Sequence, residues 1–276
     1  MTTYLPPPSP HRHLPVGSAD VLPSMAAAAW PHRAALRTGT STVTFAELDH
    51  AISRLAFGLR QRIGGDGLTV AVSSLLGLDF PTAFYAIIRS GNVAAPVNPR
   101  MPAEAFARLL AETDARAVVL GRAMYERVRP VLSRKLELVL LLDAPVGPGV
   151  LTCAELATGG ALLVEPRDRA ENEPAAIMLG AGRAGHVRAA RLTHHELKAQ
   201  AVRTAKGLAQ DAVVLNALPA FGPAHLGAGL YAGATQVLMS TPDSAAAARA
   251  AERHRASHLL TGDGELHLEH RLLAAS

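Results

Sequence analysis

The sequence predicts an α/β protein built on mostly parallel sheets, and three observations carry that prediction. Short apolar runs of strand length recur along the chain, amphipathic helical stretches separate them, and turns rich in Gly and Pro mark the junctions. Buried strands that alternate with helices form parallel sheets with helices on their faces, because each helical crossover returns the next strand in the same direction.

Element by element, the pattern turns helical from Thr44. Leu48, Ile52, Leu55 and Leu59 form one apolar stripe, and Gly64-Gly65-Asp66-Gly67 ends it. Leu68 to Leu75 is a strand, Asp79-Phe80-Pro81 caps a helix through Ile88, and Val93 to Val97 is the next strand. Pro102, at an N1-like position, starts a helix that carries Phe106, Leu109 and Leu110. Ala117 to Leu120 and Leu136 to Leu142 are further strands with helical sequence between them. Asp143 to Pro148 and Glu165 to Pro174 read as linkers, and the second, densely charged, sets a boundary between a first α/β unit (26–170) and a second (171–276). The second unit repeats the alternation: strand Ala175 to Leu179, helix Thr193 to Leu208, strand Ala212 to Leu218, a helix about Leu226, strand Gln236 to Met239, helix Ala245 to Arg255 and strand Ser257 to Thr261.

Composition bounds what such a chain can do. Its 276 residues are 49% hydrophobic and 18% charged, enough apolar material for one large or two small α/β units. A formal charge of +4 admits an anionic ligand, but the arginines read as dispersed along helical stretches, and aromatics are only 4%. The basic stripe with interleaved aromatics that binds nucleic acid is therefore not expected. Cys153 is the one cysteine, which excludes an internal disulfide or a cysteine metal cluster and suits a reducing compartment. Thr152-Cys153-Ala154-Glu155 reads as a helix cap rather than as a nucleophile's setting. No apolar run approaches the roughly 18 residues of a membrane span. Residues 1–25 hold Pro6-Pro7-Pro8-Ser9-Pro10 but no basic start with an apolar core, so they read as a flexible tail rather than a signal peptide. The expectation is a soluble, cytoplasmic protein with no membrane or nucleic-acid partner.

The organising stretch is Glu173 to Gln200. Glu173-Pro174 breaks the chain, Ala175 to Leu179 is apolar, Gly180-Ala181-Gly182-Arg183-Ala184-Gly185 turns, and Thr193 opens a helix through a capping box closed by Glu196. That is the layout of an anion-binding loop. A loop that holds a triphosphate needs exposed backbone N–H groups plus hydroxyl or ammonium donors. Here the glycines are present and the donors are missing.

This stretch resembles the phosphate loop of the adenylate-forming superfamily (acyl-CoA synthetases, peptide-synthetase adenylation domains, luciferases), Thr-Ser-Gly-Thr-Thr-Gly-x-Pro-Lys-Gly followed by Thr-His. The chain keeps Gly182, Gly185, Leu192, Thr193 and His194, but has Gly180, Ala181, Arg183 and Ala184 at the hydroxyl positions and Val187, Arg188 and Ala189 in place of Pro-Lys-Gly. Three more segments resemble the family in the right order. Trp30 to Leu36 followed by Val43 to Leu48 is similar to its opening hairpin and helix, Phe80 to Pro99 to its Ala-Gly-rich segment, and Asn216 to Met239 to its Leu-Pro and Gly-Ala stretch. The resemblance implies two αβαβα-type layered subdomains with mostly parallel sheets, as in a truncated N-terminal domain of these enzymes. It implies nucleotide contacts at Gly180, Gly182, Arg183, Gly185, Arg188, Thr193 and His194, and an acyl pocket at Phe221, Gly222 and His225. No catalytic residue and no metal ligand is assigned. ATP or AMP with Mg²⁺ enters only if activity remains, because the family's magnesium-holding Glu, ribose Asp and C-terminal lysine have no counterpart here; Lys135, Lys198 and Lys206 all come too early.

Each hydrogen bond to a charged group contributes about 1.5–3 kcal/mol. Losing three hydroxyls therefore weakens a nucleotide roughly a thousandfold or more. Arg183 and Arg188 offer guanidinium charge in compensation, while the bulk of Arg183 in a tight turn fills the phosphate space. Gly180-x-Gly182-x-x-Gly185 also matches the dinucleotide fingerprint, but its helix should start within the turn rather than at Thr193. His254 and His258 stand at metal spacing, yet a helix ends and a strand begins between them, and His267-x-x-His270 is no better. Thr261-Gly262-Asp263 reads as a turn. Two functional readings follow, with a third open. The first is a catalytically incompetent pseudoenzyme that serves as a binding or interaction partner of a complete synthetase or pathway protein, or as a homo-oligomer, through apolar faces left uncovered. The second is residual ATP-dependent adenylation with missing parts supplied by a partner chain. The third is a dinucleotide-binding module.

Overall fold

Helix α1 (Val21–Ala29) opens the described chain and packs against its neighbours instead of trailing into solvent. The computed structural model describes residues 14–39, 41–65, 67–73, 77–143, 150–158, 170–181, 187–216, 223–239, 244–260 and 266–267. The tail expected to reach residue 25 is thus corrected for residues 14–25: Ser18, Ala19, Asp20 and Leu22 are all buried. Helix α1 packs against α2 (Phe45–Ile63) and α8 (Pro223–Ala232).

The hairpin β1 (Ala34–Arg37) and β2 (Thr42–Thr44) leads into α2 through a capping box, with the Thr44 hydroxyl accepting from the Glu47 N–H and the Glu47 carboxylate accepting from the Thr44 N–H. Leu48, Ile52, Leu55 and Leu59 are all buried, and Gly64 stops the helix at a φ of 72°, where a side chain would be strained. Next come β3 (Thr69–Ser73), α3 (Asp79–Arg89), β4 (Val93–Pro96), α4 (Ala103–Glu112), β5 (Ala115–Leu120), α5 (Arg122–Val128) with a 3₁₀ turn after it, and β6 (Leu138–Leu141). Asp79 does not cap α3, since the preceding residue is the helical Leu78 with no side-chain cap bond, and Pro102 stands just before α4 rather than inside it. The short β7 (Leu151–Thr152) and α6 (Cys153–Leu156) follow, the latter capped by Thr152 and Glu155 as expected.

After them run β8 (Pro174–Ala181), β9 (Val187–Thr193), α7 (His194–Thr204), β10 (Val213–Asn216), α8, β11 (Thr235–Leu238), α9 (Ser244–His254), β12 (His258–Leu260) and β13 (Leu266–His267). Strand β9 was not anticipated. Its sequence, VRAARLT, has no apolar run, and it is a strand because it pairs antiparallel with β8 from Pro174↔Thr193 to Ala181↔Val187.

Two mostly parallel sheets result. One runs β7-β6-β5-β3-β4-β8-β9 and the other β13-β12-β10-β11-β1-β2, with β9, β13 and β2 as antiparallel edges. Sheet membership crosses residue 170: β8 and β9 join the strands of the first half, and β1 and β2 join those of the second. Alternation along β3 shows the layers. Val70 and Val72 face the cluster of α1, α2, α3, α7 and α8, while Ala71 faces that of α4 and α5. Leu36 and Leu238 of the other sheet belong to the first cluster too, so the two sheets share one middle layer of helices. Val237 and Leu215 pack instead with α9 on the far side. The stack is α4/α5, sheet, helices, sheet, α9. Uncovered apolar faces are not seen: among the described residues, Val16 and Met25 are the exposed large hydrophobic side chains. No described helix is long and apolar enough to cross a membrane.

The middle layer is fastened by Arg89, which is 1% exposed. Its guanidinium donates to the Asp20 carboxylate at 3.1 Å, the Asp49 carboxylate at 2.7 Å, Ser53 Oγ at 2.7 Å and Ser24 Oγ at 2.7 Å, and to the carbonyls of Asp20 and Asp49. Truncating one partner of such a buried pair leaves the other charged and unmet. Arg89→Met should lower the unfolding free energy in urea by about 3–5 kcal/mol; an unchanged midpoint would show that the network does not hold α1 to α2 and α3.

Candidate functional site

The hairpin of β8 and β9 carries the expected nucleotide residues, and the structure separates them. Gly180 lies in β8 and pairs in register with Arg188 of β9, near the far end of the hairpin. Gly182, Arg183 and Gly185 lie outside the described residues, as do Phe221, Gly222 and Thr261-Gly262-Asp263. Thr193 and His194 sit at the opposite end, where β9 becomes α7. The Thr193 hydroxyl is engaged in the capping box, accepting from the Glu196 N–H at 3.1 Å and donating to the Glu196 carboxylate. His194 is 1% exposed, and its Nδ1 accepts from the Ala19 N–H at 3.1 Å, so the ring is turned to the N-terminal segment. His225 lies half-buried on α8 beside Thr204, Leu208, Val214, Ala228 and Leu260. It does not line the arginine-bearing cleft at the strand ends.

A triphosphate grip of the kind the resemblance implies does not fit the described part of the hairpin. Gly180, Ala181, Val187 and Ala189 bring no hydroxyl or ammonium to its far end. Strand β9 stands between the described Gly180 and α7, so among the described residues α7 does not open directly after the glycines as the dinucleotide reading requires. Among the described residues no group of three or more His, Cys, Asp or Glu side chains is placed to hold a metal ion. His254 ends α9 while His258 lies in β12, as their positions in the sequence suggested. The Cys153 thiol is buried, and desolvation, then the nearby Asp79 and Asp143, pushes its pKa up to about 12, far from thiolate chemistry.

A cleft of about 760 Å³ opens where strands of both sheets end. Ser73 closes β3, Pro99 and Arg100 follow β4, Gly121 and Arg122 follow β5, and Val237 to Met239 close β11. The crossover from β3 leads through α3 to β4, and the one from β5 leads through α5 to β6 on the other side of β3. Connections leaving adjacent β3 and β5 therefore diverge, and such a switch point is where open α/β sheets bind ligands.

Five arginines line this cleft: Arg100, Arg122, Arg127, Arg249 and Arg253. Asp143 is the acid among the lining residues, and it accepts from the Arg122 N–H at 2.8 Å. Arg122 also pairs with Glu126, and Arg127 donates to the Pro99 carbonyl. Ala246, Arg249, Ala250, Arg253 and His254 are one face of α9, spaced by three and four residues. Burial first, then the charges of Arg37 and Arg253, hold the His254 pKa below its ordinary value. The dispersion of arginines expected from the sequence is thus corrected, because strand ends and one helix face gather them. The spacing of Arg249 and Arg253 and the placement of Arg100 and Arg122 just after strands were the signals available for it.

Comparison with known proteins agrees with this architecture. Residues 24–261 match the family described as AMP-binding enzyme. Feruloyl-CoA synthase of Amycolatopsis sp is 29% identical over 244 residues, 82% of this chain and 44% of that protein. The 4-coumarate–CoA ligase 5 of Oryza sativa subsp. japonica is 27% identical over 238 residues, 80% of this chain and 43% of the ligase. This chain thus spans less than half the length of the curated relatives it matches. In fold it is similar to a long-chain-fatty-acid-CoA ligase from Archaeoglobus fulgidus, with a TM-score of 0.80 at 21% identity over 90% of this chain and 52% of the ligase. A benzoate CoA ligase from Burkholderia xenovorans LB400 gives 0.76 at 20% identity, covering 88% and 50%. With a match over most of its length and the two-sheet stack to go with it, the chain belongs to the AMP-binding enzyme family.

Proposed function

We propose that this chain is a non-adenylating, acyl-CoA-ligase-like member of its family, a pseudoenzyme that binds rather than activates. The observation that carries this reading is the phosphate-loop stretch, where Gly180, Ala181, Arg183 and Ala184 occupy the hydroxyl positions. In its place, the arginine-lined cleft supplies the positive charge for a phosphate-bearing ligand. The related proteins named for CoA-ester formation suggest the ligand class, a nucleotide thiol such as CoA or its acyl ester. The chain then works in the cytoplasm as a binding partner of a complete synthetase.

Pyrophosphate exchange into ATP, run on the purified polypeptide with Mg²⁺ and a panel of aromatic and aliphatic carboxylic acids, tests the loss of adenylation. No exchange above background is expected, and no binding heat with ATP and Mg²⁺ in calorimetry. Exchange with any acid would overturn the proposal and restore ATP-dependent ligase activity.

The cleft makes a separate prediction. Charged hydrogen bonds of about 1.5–3 kcal/mol each mean that Arg249→Ala and Arg253→Ala should each weaken CoA binding roughly tenfold or more. Bound anion offsets the field of Arg253 and Arg37, so the His254 titration followed by NMR should move to higher pH on adding CoA. Equal affinity in all three proteins, with a stationary His254 midpoint, would place the ligand elsewhere.

A further inference from the structure

We propose that residues Pro15 to Asp20 form a strap that sets the position of the β8–β9 hairpin through the buried ammonium of Lys198, coupling the phosphate-loop segment to the N-terminal segment. This goes beyond the function proposed above and does not depend on it. Lys198 lies on α7, one turn after His194, and is 0% exposed. Its Nζ donates to the Pro15 carbonyl at 2.6 Å, to the Gly17 carbonyl, and to the Glu171 carboxylate at 2.8 Å. All three ammonium protons are met, two by the strap and one by the turn that precedes β8. Such complete pairing offsets the cost of taking an ammonium out of water.

The same place closes the hairpin's base. The first N–H groups of α7, which no helical carbonyl can meet, donate to that turn: His194 N–H to the Glu173 carbonyl at 3.1 Å and His195 N–H to the Glu171 carbonyl at 2.9 Å. His194 Nδ1 in turn accepts from the Ala19 N–H. Strap, turn and helix start are therefore one polar knot. The base of β8 is also buried, with Ala175, Ala176 and Ile177 in the core beside β4, whereas β9 is an edge strand whose Ala189, Ala190 and Arg191 are exposed. At its other end the strap is anchored by Asp20 in the Arg89 network.

Gly17 shapes the strap. Its φ of 93° lies in the left-handed region, and it lets the carbonyls on both sides of Val16 converge on one ammonium. An added Cβ at Gly17 meets nothing within 4 Å, so a substitution there strains the strap without disturbing any packing.

Hydrogen exchange on the full-length chain, read by mass spectrometry, tests the coupling. In Gly17→Ala, amides of residues 174–181 and 187–196 should exchange about tenfold faster than in the parent chain, with those of β3 and β5 unchanged. Lys198→Met should show the same pattern more strongly. Faster exchange confined to residues 14–20 would overturn the proposal, as would acceleration shared equally by β3 and β5. If Lys198→Met fails to fold, Gly17→Ala alone decides, and an unchanged hairpin in that variant counts against the strap.

Discussion

A guanidinium taken out of water costs several kcal/mol unless its donors find acceptors and its charge finds a counterpart. At Arg89 every nitrogen has acceptors, and the acceptors come from α1, from α2 and from the residue before α1. Three helices cannot move independently while this group is satisfied. Because the same helices form the middle of the stack, the arrangement of both sheets follows from it. The C-terminal end of α3 is closed in the same way, with Arg60 donating to the carbonyls of Arg89 and Ser90, which no helical N–H can reach. Apolar packing supplies most of the driving force in such a layer, but it is not directional. Direction comes from these few polar contacts.

The molecule separates shape from charge. The described residues of the β8–β9 hairpin are mostly small and apolar, while the guanidinium groups that can meet a phosphate line a cleft at the strand ends. Field in a concave site adds, because the walls exclude water and the charges share one volume. At His254 burial is the larger cause of the lowered pKa, and the charges of Arg37 and Arg253 add to it. A ligand attracted there meets charge from both sheets, through Arg100 and Arg122 on one side and Arg249 and Arg253 on the other. The cleft's affinity therefore depends on how the middle layer holds the two sheets together, and the chain's architecture and its proposed binding are linked through that layer.

Much of this was legible in the sequence. The apolar stripe of α2, the strand positions of β3 to β6, β8 and β10 to β12 and the Thr-x-x-Glu caps at Thr152 and Thr193 all depend on local patterns, and local patterns are what a sequence shows directly. The rest depends on contacts far apart in the chain. Strand β9 exists because β8 lies beside it, α1 is ordered because Arg89 reaches Asp20 across 69 residues, and Lys198 is buried because Pro15 and Gly17 come to it across more than 180. Arginines that looked scattered between residues 100 and 253 meet only after two sheets are stacked. At the hairpin, the family pattern gave Thr193 and His194 as nucleotide contacts. The structure shows the first engaged with Glu196 and the second with Ala19.

Why such a loop can lose its donors and keep its scaffold follows from what a hairpin needs. From Leu179↔Ala189 to Ala181↔Val187 the pairing is made by backbone N–H and carbonyl groups, which any non-proline side chain leaves in place. Exchanging hydroxyls for Gly and Ala therefore costs the fold little while it removes the contacts that a nucleotide would use. The positions whose identity the fold does enforce lie elsewhere. Gly233 has a φ of 68°, and a Cβ there would come within 2.5 Å of the Trp30 ring. Arg89 and Lys198 are fully buried charges with every partner in place. Selection for folding alone would keep those three and let Gly180 to Gly185 drift, so retention of the stack carries no information about adenylation. The chemistry has to be read from the donors themselves.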